Sequence, residues 1–168
     1  MDTAYKTTLE LDKVLARAVQ LCACQETKEI MQALEPAPTV EDERYDLAQT
    51  NAINALLIKN GSPRFGSVHE VRRIVAHARK GGILSMGELL EIAATLRNFS
   101  GLSQWYGLSE HEMLPTDDLF FALAPQPVLE KQIAESILSP EEMADTASVT
   151  LHDLRRKIRQ TEDSIRTK

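Results

Sequence analysis

Apolar residues recur at steps of three and four along almost the whole chain, and each run predicts one helix. Between Leu9 and Ala23, the residues Leu11, Val14, Leu15, Ala18, Val19 and Cys22 form one apolar face, and Asp12 suits the N-cap. A shorter helix is predicted from about Glu26 to Leu34, with Ile30, Met31 and Leu34 on one side and Pro36 and Pro38 as its stop. Thr39 opens a third, with Glu41 and Asp42 in its positively polarised first turn. It runs through Leu47, Ile53, Leu56, Leu57 and Ile58 to Gly61. After the loop Ser62-Pro63-Arg64-Phe65-Gly66, Ser67 and Glu70 read as a capping box for a fourth helix. Its apolar positions are Val68, Val71, Ile74, Val75 and Ala78. Gly81-Gly82 closes that helix. Ser85 and Glu88 form a second capping box, and Leu89, Ile92, Ala93, Leu96 and Phe99 carry a fifth helix towards Trp105.

The stretch from Gly107 to Leu123 is less regular. Pro115 and Thr116 predict a short helix start ahead of Leu119, Phe120 and Leu123, and another helix is predicted from Val128 to Ile137. Ser139-Pro140-Glu141-Glu142 reads as a turn with helix-start chemistry. No sustained period-two run predicts a sheet, although a short strand pair around residues 129–145 is compatible with the pattern.

The last stretch has its own rhythm. Leu151, Leu154, Ile158, Thr161 and Ile165 recur at steps of three, four, three and four, the spacing of a two-position heptad seam. A helix from about Ala147 would be roughly 30 Å long at the standard rise. No Gly or Pro stop precedes Lys168, which leads to the expectation of a rod whose continuation is missing. The fold class expected is an all-α, multi-helix bundle. Residues 1–146 would be its helical core, and residues 147–168 the start of a long C-terminal helix.

Composition agrees with this class. Apolar content of 43% supports a real core, and an aromatic content of 5% suits aliphatic helix packing better than a sandwich or barrel. Cys22 and Cys24 stand two apart on a helix and cannot bridge each other. With no secretory pattern and no apolar run of membrane-spanning length, the expectation is a reduced, soluble, cytoplasmic protein with no membrane partner. The net charge of −6 is unevenly spread. Residues 107–146 carry nine acids against Lys131, whereas residues 67–82 and 147–168 are each +3. That pattern excludes a uniformly basic nucleic-acid binder but leaves local basic strips as candidate polyanion contacts.

Catalytic chemistry is hard to find. Gly81-Gly82 is not followed by Lys-Ser or Lys-Thr, so no phosphate loop is present. His69, His77, His111 and His152 pair with no second His or Cys at a metal spacing and read as structural or solvent-facing. Cys22-Ala-Cys24 lacks the two-residue spacer of redox motifs, and Asp117-Asp118 and Glu141-Glu142 are explained by helix starts. No catalytic, cofactor-binding or metal residue is assigned. Arg155, Arg156 and Arg159 are the candidate polyanion contacts, against the blander reading of a solvated coiled-coil flank.

Several phrases, taken together and in order, resemble a known family. Thr8-Leu-Glu-Leu-Asp-Lys-Val-Leu15 opens the chain; Gly61-Ser-Pro-Arg-Phe-Gly66 is followed by Val71-Arg72-Arg73; Gly81-Gly-Ile-Leu-Ser85 precedes Glu88-Leu-Leu-Glu-Ile92 and Leu96-Arg97. Ala144-Asp-Thr-Ala-Ser148 leads to Leu151, Leu154-Arg155-Arg156 and Ile158-Arg159. The chain resembles the start of the second, recombination-suppressing bacterial branch of the MutS family. The Ser139-Pro-Glu-Glu-Met143 turn departs from the Gly-containing turn of that branch.

The resemblance implies a specific place in a larger machine. This chain would be the first part of the helical core and a rising lever helix, without catalysis of its own. A DNA clamp, an ATPase domain using ATP and Mg, and a C-terminal nuclease-type domain would lie elsewhere in the parent. Implied partners are a second copy of the parent, double-stranded or branched DNA, and stalled ribosomes. Two other readings stand beside it: a free-standing helical module dimerising through Leu151 to Ile165, and a small enzyme for which no catalytic constellation is found.

Overall fold

The computed structural model describes residues 8–64, 66, 68–108 and 110–166. In chain order these residues form α1 (Leu11–Leu21), α2 (Gln25–Gln32), α3 (Val40–Asn60), α4 (Arg72–Arg79), α5 (Met86–Tyr106), α6 (Asp117–Phe121), α7 (Pro127–Ser136), β1 (Ile137–Ser139), β2 (Glu142–Met143), a 3-10 turn (Asp145–Ala147) and α8 (Val149–Arg166). The protein is all-α apart from one tiny strand pair, as the three-and-four spacing predicts.

Helix ends follow the capping chemistry closely in two places. Thr39 Oγ1 accepts from the Asp42 backbone N–H at 3.1 Å and starts α3. Ser85 and Glu88 form a reciprocal box: the Ser85 N–H donates to Glu88 Oε2 at 2.7 Å, and the Glu88 N–H donates to Ser85 Oγ at 3.3 Å. The Ser85 backbone N–H first, and the Ser85 hydroxyl second, donate to the Glu88 carboxyl and hold it below its ordinary range. Gly61 and Gly81 close α3 and α4 with φ of 71° and 80°, positive values that cost a Cβ-bearing residue about 1–3 kcal/mol.

Other boundaries differ from the sequence reading. Glu10, not Asp12, precedes α1, in a left-handed conformation with φ 56°, and Asp12 sits in the first turn, where the helix dipole favours it. α4 begins at Arg72 rather than at the Ser67–Glu70 box; Ser67 lies outside the described residues, and Val71 gives no side-chain cap. Ser139-Pro140-Glu141-Glu142 starts no helix. It is the turn of an antiparallel hairpin, pairing Ile137 with Met143 and Ser139 with Glu142, with the register slipping between Ile137 and Ser139. Ser139 Oγ accepts from the Glu141 N–H at 3.2 Å, using the capping hydroxyl for the turn instead.

The chain divides into two compact units, residues 1–70 with 101–124, and residues 71–100 with 125–168. The first unit is centred on Leu56, Trp105 and Tyr106, with Leu57, Leu114 and Phe120 packed against them. The Tyr106 ring stacks on Phe120 at 3.8 Å between centroids. The Trp105 indole N–H donates to the Gly61 carbonyl at 2.8 Å, tying the closing glycine of α3 to α5. The Tyr106 hydroxyl donates to Asp117 Oδ1 at 2.6 Å and lies 2.9 Å from Thr116 Oγ1, which is fully buried. Burial pushes the Tyr106 phenol up, and its hydrogen bond to Asp117 adds to the rise. That same bond is the main reason the Asp117 carboxyl lies below its ordinary range. By contrast, α1 and α2 contain no buried residue, and Leu21 is 84% exposed.

The second unit is built on Ala93, Ile133 and Ile137, with Met86, Leu89, Leu90 and Ile92 around them. Arg97 Nε donates to Glu130 Oε1 at 2.9 Å between α5 and α7. The hairpin hands the chain to the 3-10 turn through the Ala144 N–H, which donates to the Ser136 carbonyl at 2.9 Å. α8 follows.

Candidate functional site

The candidate site is α8 and the turn that launches it. Ser148 caps the helix: its Oγ accepts from the Leu151 N–H at 3.1 Å. Eighteen residues then continue to Arg166, about 27 Å at the standard rise. The length comes from an uninterrupted run without Gly or Pro.

The five seam residues share one side of this helix by spacing, and the structure covers only one end of it. Leu151 is half-buried at the base. Leu154 is 53% exposed, Ile158 57% and Ile165 70%. Thr161 is exposed, and its hydroxyl donates back to the Lys157 carbonyl at 2.9 Å within the helix. An apolar stripe therefore stands open to solvent along three-quarters of α8.

The three candidate polyanion contacts separate into two groups. Arg155 and Arg159, four residues apart, converge on one carboxylate, Asp145 of the 3-10 turn. Arg155 Nη1 donates to Asp145 Oδ1 and also to the Met143 carbonyl at 2.8 Å. Arg159 Nη2 donates to Asp145 Oδ2 at 2.8 Å. The Arg155 guanidinium first, and Arg159 second, hold the Asp145 carboxyl below its ordinary range. Arg156 lies apart from this clamp, 3.4 Å from Asp153 one turn back. The arrangement fixes the direction in which α8 leaves the hairpin, because a fork of two guanidiniums on one carboxylate restricts both position and rotation.

Asp145 is the residue that the sequence reading did not single out as a site. Its signal was available: a lone acid placed 10 and 14 residues before two arginines that are themselves four apart. What the spacing could not supply is the hairpin that folds Asp145 back onto the helix.

The histidines and cysteines of the described residues lie outside α8, except His152. His77 lies against Gly82, His111 is edge-on to Tyr106 at 4.8 Å, and His152 Nδ1 is 3.7 Å from Asp153. Cys22 donates to the Ala18 carbonyl and Cys24 pairs with the Thr27 hydroxyl; both are free thiols. Among the described residues, no three His, Cys, Asp or Glu gather where a metal ion could be held, and no helix is long and apolar enough to cross a membrane.

No family model matches the chain. Individual relatives do. A protein of Ruminiclostridium cellulolyticum named Endonuclease MutS2 is 32% identical over 170 aligned residues, covering all of this chain and 22% of the relative. The chain is similar to this MutS2 protein along its whole length. The MutS2 proteins of Acetivibrio thermocellus and Clostridium beijerinckii, at 31% and 29% identity, are each matched over 95% of this chain. The chain spans about a fifth of the length of these MutS2 relatives. The relatives carry the word endonuclease in their names; this chain corresponds to a minor share of each.

Proposed function

We propose that this chain is the non-catalytic helical base and lever of a MutS-type DNA-binding ATPase. In the parent protein it would couple nucleotide state to a DNA clamp, in the service of DNA repair or suppression of recombination. The observation that carries this reading is the likeness of the whole of this chain to a fifth of the MutS2 proteins, joined to a long helix that is clamped, among the described residues, at its root. Two features support it physically. A packed base deforms little, so a rod anchored in it transmits displacement rather than absorbing it. The open stripe of Leu154, Ile158 and Ile165 is what a helix running alongside α8 would cover.

ATP and Mg would act elsewhere in the parent. This chain has no Gly-x-x-x-x-Gly-Lys-Ser/Thr sequence to cradle a nucleotide's phosphates. A second copy of the parent, double-stranded or branched DNA, and the ribosome are the partners that the MutS reading brings with it.

The deciding experiment is to read the gene beyond the codon for Lys168. A following coil and a phosphate loop support the reading; a stop codon ends it. In parallel, the purified chain is expected to show no saturable ATP turnover above a buffer blank. Measurable turnover would contradict the non-catalytic role.

A further inference from the structure

The lever reading leaves one charged surface unused, on α4. Ile74 is the only buried residue between Arg72 and Lys80; every other residue there is exposed. At about 100° per residue, Arg79, Arg72, Lys80, Arg73 and His77 fall within one arc of about 160°, opposite Ile74, Val75 and Ala78. The helix contains no acidic residue. Among the described residues Arg73, Arg79 and Lys80 make no ion pair, unlike Arg155, Arg156 and Arg159 on α8, which are all engaged by acids.

Local stability explains part of this array only. Arg79 and Lys80 lie at the C-terminal end of α4, where the helix dipole favours cations. Arg73 lies in the first turn, where the dipole opposes it. The face carries no Phe, Tyr or Trp to stack on single-stranded bases. It lacks the bulky apolar residues that would anchor it in a lipid interface. What remains is a fixed set of cations, suited to a regular, dense line of phosphates. The relatives' name, endonuclease, points to nucleic acid as its source.

We propose that the outward face of α4, through Arg73, Arg79 and Lys80, contacts the phosphate backbone of double-stranded DNA without reading its sequence. This contact goes beyond the lever reading, in which DNA is held by a clamp outside this chain; it rests on the same likeness to MutS2 proteins for the choice of nucleic acid, and its test is read separately from the gene extension above. Three phosphate contacts give a slope of about −2.7 in log K against log salt, so binding is expected to be weak at physiological salt and measurable at about 25 mM.

The test is fluorescence anisotropy of a dye-labelled duplex of about 30 base pairs, titrated with the whole chain between about 25 and 150 mM salt. The variant Arg73→Glu/Arg79→Glu/Lys80→Glu is compared with Arg17→Glu/Arg44→Glu/Lys131→Glu, which changes net charge equally at exposed positions elsewhere. The α4 variant is expected to bind at least tenfold more weakly at low salt and to lose most of the slope, while the control keeps both. The milder Arg73→Gln/Arg79→Gln/Lys80→Gln variant, with helix content checked by circular dichroism, keeps the result readable if the reversal unfolds α4. No binding at low salt, equal losses in the α4 and control variants, or binding to anionic vesicles as tight as to DNA would each overturn the proposal.

Discussion

Asp145 Oδ2 accepts a hydrogen bond from Arg159 Nη2 at 2.8 Å, across fourteen residues of sequence and the whole first half of α8. With Arg155 on the other oxygen, this one carboxylate decides how the helix leaves its base.

Removing that carboxylate is expected to loosen α8 without unfolding its unit. Asp145 and Arg155 are about one-third exposed and Arg159 about two-thirds, so the clamp's contribution is screened and local. In Asp145→Asn, amide hydrogen exchange at residues 151–159 should rise several-fold while Ala93 and Ile133 stay protected. The same loosening should appear with acid. The folded-state pKa of Asp145 is depressed, so its contribution is complete above the unfolded value near 3.9 and is lost as pH falls through the folded one. Protection factors in α8, taken relative to intrinsic exchange at each pH, that stay constant between about pH 5 and 2 would contradict the clamp.

Tyr106→Phe keeps the ring stacked on Phe120 and removes only the hydroxyl. Thr116 Oγ1 then loses its partner in a buried setting, at a cost of about 1–2 kcal/mol in urea denaturation, and the part-buried Asp117 Oδ1 loses one too. Asp117 should also lose part of its acid sensitivity, since the Tyr106 bond is the first cause of its lowered pKa. A neutral substitution would show that water replaces the bond.

Two adjacent glycines should respond differently to alanine. Gly81 has open space for a Cβ but a φ of 80°, so Gly81→Ala carries a backbone cost of about 1–2 kcal/mol. Gly82 has ordinary φ, but its Cβ would fall 2.2 Å from the His77 ring. His77 is exposed and can swing away, so Gly82→Ala should cost less than Gly81→Ala and be relieved further by His77→Ala. Additivity of Gly82→Ala and His77→Ala would argue against the contact.

The seam residues should matter little to the isolated fold. Leu154→Ala and Ile158→Ala remove side chains that are more than half exposed, so each is expected to shift stability by no more than about 0.5 kcal/mol. Ile133→Ala, in the core of the same unit at 7% exposure, should cost about 2–5 kcal/mol. If the seam substitutions cost as much as the core one, α8 packs inside the unit and the lever reading fails.

Much of the local structure was legible in advance, because helix caps are chemistry between neighbours. Thr39 with Asp42, and Ser85 with Glu88, are fixed by a hydroxyl or carboxylate three residues from an unpaired N–H. The misreading at Ser139 has a tertiary cause. Ser139 carries the same hydroxyl, but the chain around it pairs as a hairpin, and the identical group serves a turn instead of a helix.

The sequence alone determined that the chain would be helical, where its glycines would end helices, and that a long amphipathic run would close it. Periodicity and capping act over three or four residues, and that range is written directly in the order of amino acids. Only the tertiary structure decided which predicted faces were buried: Leu56 and Ile133 inside, Leu21, Leu154 and Ile165 outside. It also decided that Asp145 would hold two arginines while those of α4 face solvent. Such choices depend on which distant segments meet, and an apolar stripe or a charge looks the same in sequence whether or not a partner covers it.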